Sequence, residues 1–151
     1  MPILRLQYDN GYYFGDVIGS EDDPIEDGVG MFFWENGDTY QGNFVNGTRT
    51  GKGIFTWANG NRYEGDFVDD VRTGKGMISW PSGDHYEGDF ENGFQSGKGV
   101  LFWSNGEKYV GDFLNGMMDG NGIHYAADGS IIYDGEWVES CPVNHFEDQN
   151  N

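Results

Sequence analysis

The stretch W-A-N-G-N-R-Y-E-G-D-F, Trp57 to Phe67, decides how this chain folds, because it is written three times. It returns as W-P-S-G-D-H-Y-E-G-D-F (Trp80 to Phe90) and as W-S-N-G-E-K-Y-V-G-D-F (Trp103 to Phe113). Aligned on the tyrosine, Tyr40, Tyr63, Tyr86 and Tyr109 recur every 23 residues, and Tyr133 follows 24 later. Tyr13 opens an earlier copy of 27 residues, with its four extra residues between Ser20 and Asp27. Self-similarity at a fixed period means stacked supersecondary units, none of which can bury its apolar face alone. Residues 13–137 therefore read as five full repeats and the opening of a sixth. Residues 1–12 read as an N-terminal cap strand, and 138–151 as a C-terminal cap or flexible tail.

Each unit spells a β-hairpin. G-K-G-I-F-T-W (Gly51 to Trp57) is its first strand, A-N-G-N its turn and Y-E-G-D-F (Tyr63 to Phe67) its second. Asn-Gly between aromatic-rich runs signals a tight turn, since both residues tolerate positive φ. Nothing recurs at a period of 3.6 and glycine interrupts every window, so no helix is expected. Alternation puts Tyr63, Gly65 and Phe67 on one face, with Gly74, Gly76, Ile78 and Trp80 on one face of the next strand. With these faces shared, each ring covers a glycine on a neighbouring strand. The other face carries Glu64, Asp66, Lys75, Met77 and Ser79. There Asp16, Asp66, Asp89 and Asp112 form a row at a spacing of roughly 9 to 10 Å, broken by Asn43, and for Asp89 and Asp112 no structural partner is foreseen. The fold class is all-β, an elongated single-layer antiparallel meander of repeated hairpins, solenoid-like in its stacking.

Composition bounds the partners. The 151 residues include 26 glycines and 17% aromatics, which suits a thin sheet better than a thick aliphatic core. The net charge is -18, with 13 acids and 6 bases over residues 1–75 and 13 acids and 2 bases over 76–151. That field repels nucleic acid and anionic lipid and attracts basic partners, most strongly in the second half. The single cysteine, Cys141, excludes an intramolecular disulfide and leans towards a reducing, cytoplasmic setting. The opening M-P-I-L-R-L-Q-Y shows neither a long apolar run nor a glycine at position 2.

The pattern Y-x-G-x-F/W-x-x-G-x-x-x-G-x-G-x-x-x-W/Y-x-x-G, which runs as Y-E-G-D-F-E-N-G-F-Q-S-G-K-G-V-L-F-W-S-N-G-E-K from Tyr86 to Lys108, resembles the MORN repeat, the membrane occupation and recognition nexus. The resemblance covers about residues 13–137. It implies a twisted single-layer sheet that binds proteins and, in some members, lipid. The fifth repeat departs from the pattern, with Ala126 where a Trp is expected and His124 before it, which should open space beside Trp103 and Tyr109. Asp70 replaces a turn glycine, and the chain is more acidic than a lipid-binding member should be.

Candidate sites follow from side-chain chemistry. The three G-K-G triplets at Gly51, Gly74 and Gly97 precede strands, whereas a phosphate loop needs a helix N-terminus. Cys141, His145 and Asp148 sit in a short polar tail that cannot preorganise a nucleophile, and Val143 and Phe146 fit a cap over the last strand edge. His85, His124 and His145 are scattered and make no zinc set. Glu21, Asp22, Asp23, Glu26 and Asp27 in the long first loop, with Asp69 and Asp70, lack calcium-loop spacing and read as solvated charge. No catalytic residue, metal or cofactor is expected.

The remaining candidate is an exposed aromatic groove of Tyr40, Phe44, Trp57, Tyr63, Phe67, Trp80, Tyr86, Phe90, Trp103, Tyr109 and Phe113, with apolar edges from Phe94, Met117 and Met118. Tyr and Trp beside acids suit a basic, apolar-anchored segment. The partner-binding set is Tyr63, Trp80, Tyr86, Phe90, Trp103, Tyr109 and Phe113 with Asp66, Asp89 and Asp112. The expected function is a non-catalytic scaffold or adaptor binding a protein or peptide of basic character. The alternative is an acidic inhibitor or immunity-type protein masking a basic enzyme surface. An open sheet edge also allows a homodimer.

Overall fold

The computed structural model describes residues 2–143. They form thirteen strands: β1 (Ile3–Tyr8), β2 (Gly11–Ser20), β3 (Asp23–Trp34), β4 (Thr39–Val45), β5 (Thr48–Thr56), β6 (Arg62–Val68), β7 (Val71–Ser79), β8 (His85–Glu91), β9 (Phe94–Phe102), β10 (Lys108–Leu114), β11 (Met117–Tyr125), β12 (Ile131–Val138) and β13 (Cys141–Pro142). They pair in sequence order as one antiparallel sheet, so each strand is hydrogen-bonded into the ladder only with its chain neighbours. β1 is an open edge, whereas β13 is two residues long and ends at Pro142, which has no N–H to offer.

The register places eleven glycines in one line across the sheet. Gly15 faces Gly30, which faces Gly42, and the line continues through Gly53, Gly65, Gly76, Gly88, Gly99, Gly111 and Gly122 to Gly135. Over this line the tyrosines lie down along their strands. The Tyr63 hydroxyl donates to the Asp66 carbonyl at 2.8 Å, and Tyr40, Tyr86 and Tyr109 repeat the bond to Asn43, Asp89 and Asp112. A Cβ on Gly76 would stand 2.5 Å from the Tyr63 hydroxyl and 2.6 Å from its ring, so the ring's seat exists only because the residue is glycine. Each of these four tyrosines is closed in by two edge-on rings, Tyr63 by Phe67 at 5.2 Å and Phe90 at 4.9 Å. Tyr13, Tyr40, Tyr63, Tyr86 and Tyr109 are 0% exposed. Burial pushes the Tyr40 and Tyr109 hydroxyls up to about 12.

The aromatic face is therefore the core. Fully burying a large ring contributes about 1.5–3 kcal/mol, and one Tyr-Phe set per repeat supplies what a second layer would in a thicker fold. The expected exposed groove is thereby corrected: Tyr63, Tyr86 and Tyr109 are sealed, and Phe90 and Phe113 are 4% and 5% exposed. Period-2 alternation fixes the face of these residues but not the flat lie of the rings that fills the trough.

Two turn types alternate along the edges. At one edge the Trp57 carbonyl accepts from Gly60, and Trp57 N–H donates to Asn61; Gly60 alone takes positive φ, at +96°. This three-residue loop replaces the expected turn with positive φ at both Asn59 and Gly60. The mirror-image two-residue turns lie at the other edge, at Asn46-Gly47, Asp69-Asp70, Asn92-Gly93, Asn115-Gly116 and Glu139-Ser140, with positive φ at both positions. Asp70, at φ +71°, is held because its carboxylate accepts Arg49 N–H at 2.8 Å and Arg49 Nε at 3.0 Å. Ser20 to Asp27 is not a loose loop: Val17 to Ser20 and Asp23 to Glu26 continue the ladder, turning at Glu21-Asp22.

A bulge recurs where β6 meets β7. Gly65 pairs with Gly76 but Phe67 pairs with Arg72, so Thr73, Gly74 and Lys75 oppose Asp66 alone. Gly74 thereby leaves the ring face: its φ is +76°, and a Cβ there would meet the Asp66 carboxylate at 2.9 Å. The freed N–H of Lys75 donates to Asp66 Oδ2 at 3.1 Å. Val29 to Asp16, Lys98 to Asp89 and Asn121 to Asp112 do the same at 3.0, 3.0 and 2.9 Å. Asp89 and Asp112, expected to be unpartnered, are thus among the caps of the bulges.

Candidate protein-binding site

Among the described residues, nothing covers the sheet's second face. Along it each repeat sets two rows of side chains on either side of the glycine line. One row alternates Gln41, Ile54, Glu64, Met77, Glu87, Val100 and Val110 from successive strands. The other carries the ion pairs Lys52–Asp66, Lys75–Asp89 and Lys98–Asp112, each joining one repeat to the next. Between the rows lies a cleft of about 840 Å³, floored by Gly42, Gly53, Gly65, Gly76 and Gly88, with Val29, Lys52, Ile54, Glu64, Lys75, Met77 and Glu87 among its walls. A second cleft shares Glu87 and Gly88 and carries the channel on past Lys98, Gly99, Val100 and Val110 to Gly111. From β3 to β10 the channel crosses seven strand spacings, about 34 Å.

Its charge is uneven. The lysine ammoniums are taken by aspartates whose carboxyls sit below the ordinary range, held there first by the lysine contacts, with help from the bulge N–H groups. Glu64 shares its charge with Arg62 at 3.2 Å, while Glu87 has no ionic partner among the described residues. The unbalanced charge of the channel is therefore negative, beside the apolar notches of Ile54, Met77 and Val100.

The structure splits the set expected from sequence. Tyr63, Tyr86, Phe90, Tyr109 and Phe113 are core, and Asp66, Asp89 and Asp112 lie on the opposite face, beside the channel. Trp80 and Trp103 are half-buried on the rim of the ring-filled face. Arg49 and Arg72 reach across that face, with guanidinium carbons 5.4 Å from the Trp34 ring and 5.1 Å from the Trp57 ring. Burial lowers the affinity of Arg72 for its proton. Sequence reasoning misses both arginines; the signal is a basic residue two positions after the Asn46-Gly47 and Asp69-Asp70 turns, where the later turns carry Gln95 and Met118. Met118 is buried, whereas Phe94 and Met117 stay exposed. Beside Tyr109, Trp137 takes the place that Phe113 takes beside Tyr86, packing edge-on at 5.0 Å and donating Nε1–H to the Gly122 carbonyl at 3.0 Å. Cys141 is exposed in β13, and Phe146, His145 and Asp148 lie outside the described residues. Glu26 accepts the Tyr8 hydroxyl and Asp27 accepts Asn46 N–H at 3.0 Å, so part of the acidic first hairpin is structural. Among the described residues no cluster of three or more metal-ligating side chains occurs, and no helix is long and apolar enough to cross a membrane.

The MORN repeat family model matches residues 25–39, 40–62, 63–85, 86–108 and 109–131, most of the chain, and this protein belongs to that family. No curated protein matches it significantly. Among solved structures, the SAS-4 (dCPAP) TCP domain of Drosophila melanogaster, in complex with a proline-rich motif of Ana2 (dSTIL), is similar at 15% identity. That match covers 89% of this chain and 90% of the other at a TM-score of 0.40.

Proposed function

We propose that this chain is a non-catalytic protein-interaction module that binds a basic segment of a partner along the channel on its open face. One observation carries the reading: the rings are consumed by the core, and the open feature is a continuous channel whose unbalanced charge is the Glu87 carboxylate, one repeat on from Glu64 with its Arg62 partner. Electrostatic complementarity to a basic segment speeds encounter and fixes its register, while Ile54, Met77 and Val100 offer apolar anchorage. The test is fluorescence anisotropy of a labelled lysine-rich peptide at low and physiological salt, with a neutral peptide of equal length as control. The basic peptide binds, weakens steeply with salt, and is lost in the Glu64→Lys, Glu87→Lys double variant at unchanged melting temperature. Equal binding by the double variant would overturn the channel as the site. A partner that binds only as a folded basic domain, never as a peptide, would favour the inhibitor reading.

A further inference from the structure

We infer that the segment held in the channel is a polyproline II helix presenting a basic residue at every third position, an inference that rests on the channel being the site of a basic partner. The basis is a match of periods. The channel walls repeat once per hairpin, that is every two strands, or about 9.6 Å. Any regular ligand lying along it must bring equivalent side chains back at that interval, or contacts made in one repeat are lost in the next.

The three regular backbone conformations answer differently. An α-helix completes a turn every ~5.4 Å, so one wall period is about 1.8 turns and its side chains rotate away. An extended strand returns a side chain to the same side every ~6.7 Å, about 1.4 times per wall period. Polyproline II has three residues per turn at 3.1 Å rise, a pitch of ~9.3 Å, so the error over three repeats stays near 1 Å. Of the three, it alone lets one residue in each turn meet Glu64 and then Glu87 while the other two ride over Ile54, Met77 and Val100.

The chemistry of the walls agrees with this spacing. Glu64 and Glu87 occupy the same position in adjacent repeats, Glu64 beside the exposed Arg62 and Glu87 with no ionic partner among the described residues, and the opposite wall is occupied by lysine-aspartate pairs, so an added cation finds its counter-charge on one side only, at Glu87 first. Proline rings are apolar and rigid, and a segment already in polyproline II loses little conformational freedom on binding. At about 34 Å the described channel takes roughly 11 residues of such a helix.

The experiment compares three labelled peptides of equal net charge on the full chain by fluorescence anisotropy: one of about 12 residues built from Pro-Pro-Lys triplets, one of the same composition with its lysines gathered in a block, and one lysine-bearing α-helical peptide. The triplet peptide binds at least about tenfold tighter than either control, and Glu87→Gln removes most of that advantage while the melting temperature stays put. Equal affinity for the triplet and block peptides, or tighter binding of the helix, would overturn the polyproline register while leaving the basic-partner reading standing. Unchanged preference in Glu87→Gln would overturn the placement in the channel. If none of the three binds at low salt, the reading of a basic partner fails together with this one.

Discussion

Replacing Gly76 by alanine asks the structure for space it does not have. The added Cβ would lie 2.5, 2.6 and 2.7 Å from the hydroxyl, Cε1 and Cζ of Tyr63, about 0.8 Å inside ordinary contact. Tyr63 cannot retreat, because it is 0% exposed, boxed edge-on by Phe67 and Phe90, and pinned by its hydrogen bond to the Asp66 carbonyl. Overpacking of this kind costs about 1–3 kcal/mol, and breaking the hydroxyl bond adds about 1 kcal/mol. Gly76→Ala should therefore lose about 2–4 kcal/mol, read as a fall in melting temperature of roughly 4–16 °C for a chain of this size. Lys75→Ala next door removes only an exposed ion pair and should cost under about 1 kcal/mol. Unpinning the ring with Tyr63→Phe lets it slide, so the double variant Gly76→Ala, Tyr63→Phe should lose less than the sum of the singles by about 1 kcal/mol. Differential scanning fluorimetry with chemical denaturation measures all of these. Strict additivity, or a Gly76→Ala variant as stable as Lys75→Ala, would refute the account of the glycine line.

Three further outcomes are expected. The depressed carboxyls of Asp66, Asp89 and Asp112 add stability that is present above the unfolded value of about 3.9 and is lost as pH falls through their lower folded values. Melting temperature should thus drop on acidification below about pH 4, and less so in Asp89→Asn, which starts less stable; an identical acid profile for that variant would count against the bulge caps. At the loop edge, Asp38 accepts Ala58 N–H at 2.7 Å and Asp84 accepts Ser104 N–H at 2.8 Å, but the equivalent positions one repeat on from Asp38 and Ala58 are Asn61 and Pro81, which has no N–H. Pro81→Ala with Asn61→Asp should therefore gain about 1 kcal/mol while Asn61→Asp alone gains nothing, as denaturant midpoints would show. Asp70→Gly relieves a positive φ but releases Arg49 from its carboxylate, so hydrogen exchange at Arg49 should quicken even if the melting point barely moves.

Much of this architecture is legible because both of its periods are written in the sequence. The 23-residue spacing of Tyr40, Tyr63, Tyr86 and Tyr109 fixes the repeat, and period-2 alternation puts Tyr63 and Gly76 on one face, where they meet. What alternation does not encode is register. A bulge shifts pairing without any change of residue type, so Gly74 reads as a ring-face glycine and Asp66 as a surface carboxylate, when each belongs to the other's cap. Nor does a face assignment say whether a ring stands up or lies down. Tyr86 lies down and vanishes into the core, and the channel on the reverse face stays hidden from the sequence because its floor is the backbone of the same glycines.

The strictly sequential pairing of β1 to β13 leaves the two ends of the described chain at opposite ends of the sheet. Tension applied between them runs across the strands, along the ladder hydrogen bonds, and opens each ladder one bond at a time rather than shearing a whole strand at once. Every 23-residue repeat that yields would release roughly 80 Å of chain in exchange for about 10 Å of sheet. A partner seated along the channel would bridge neighbouring repeats and raise the force at which they part. Pulled from its ends, such a sheet would yield in equal steps when bare and hold its length with a partner seated in the channel.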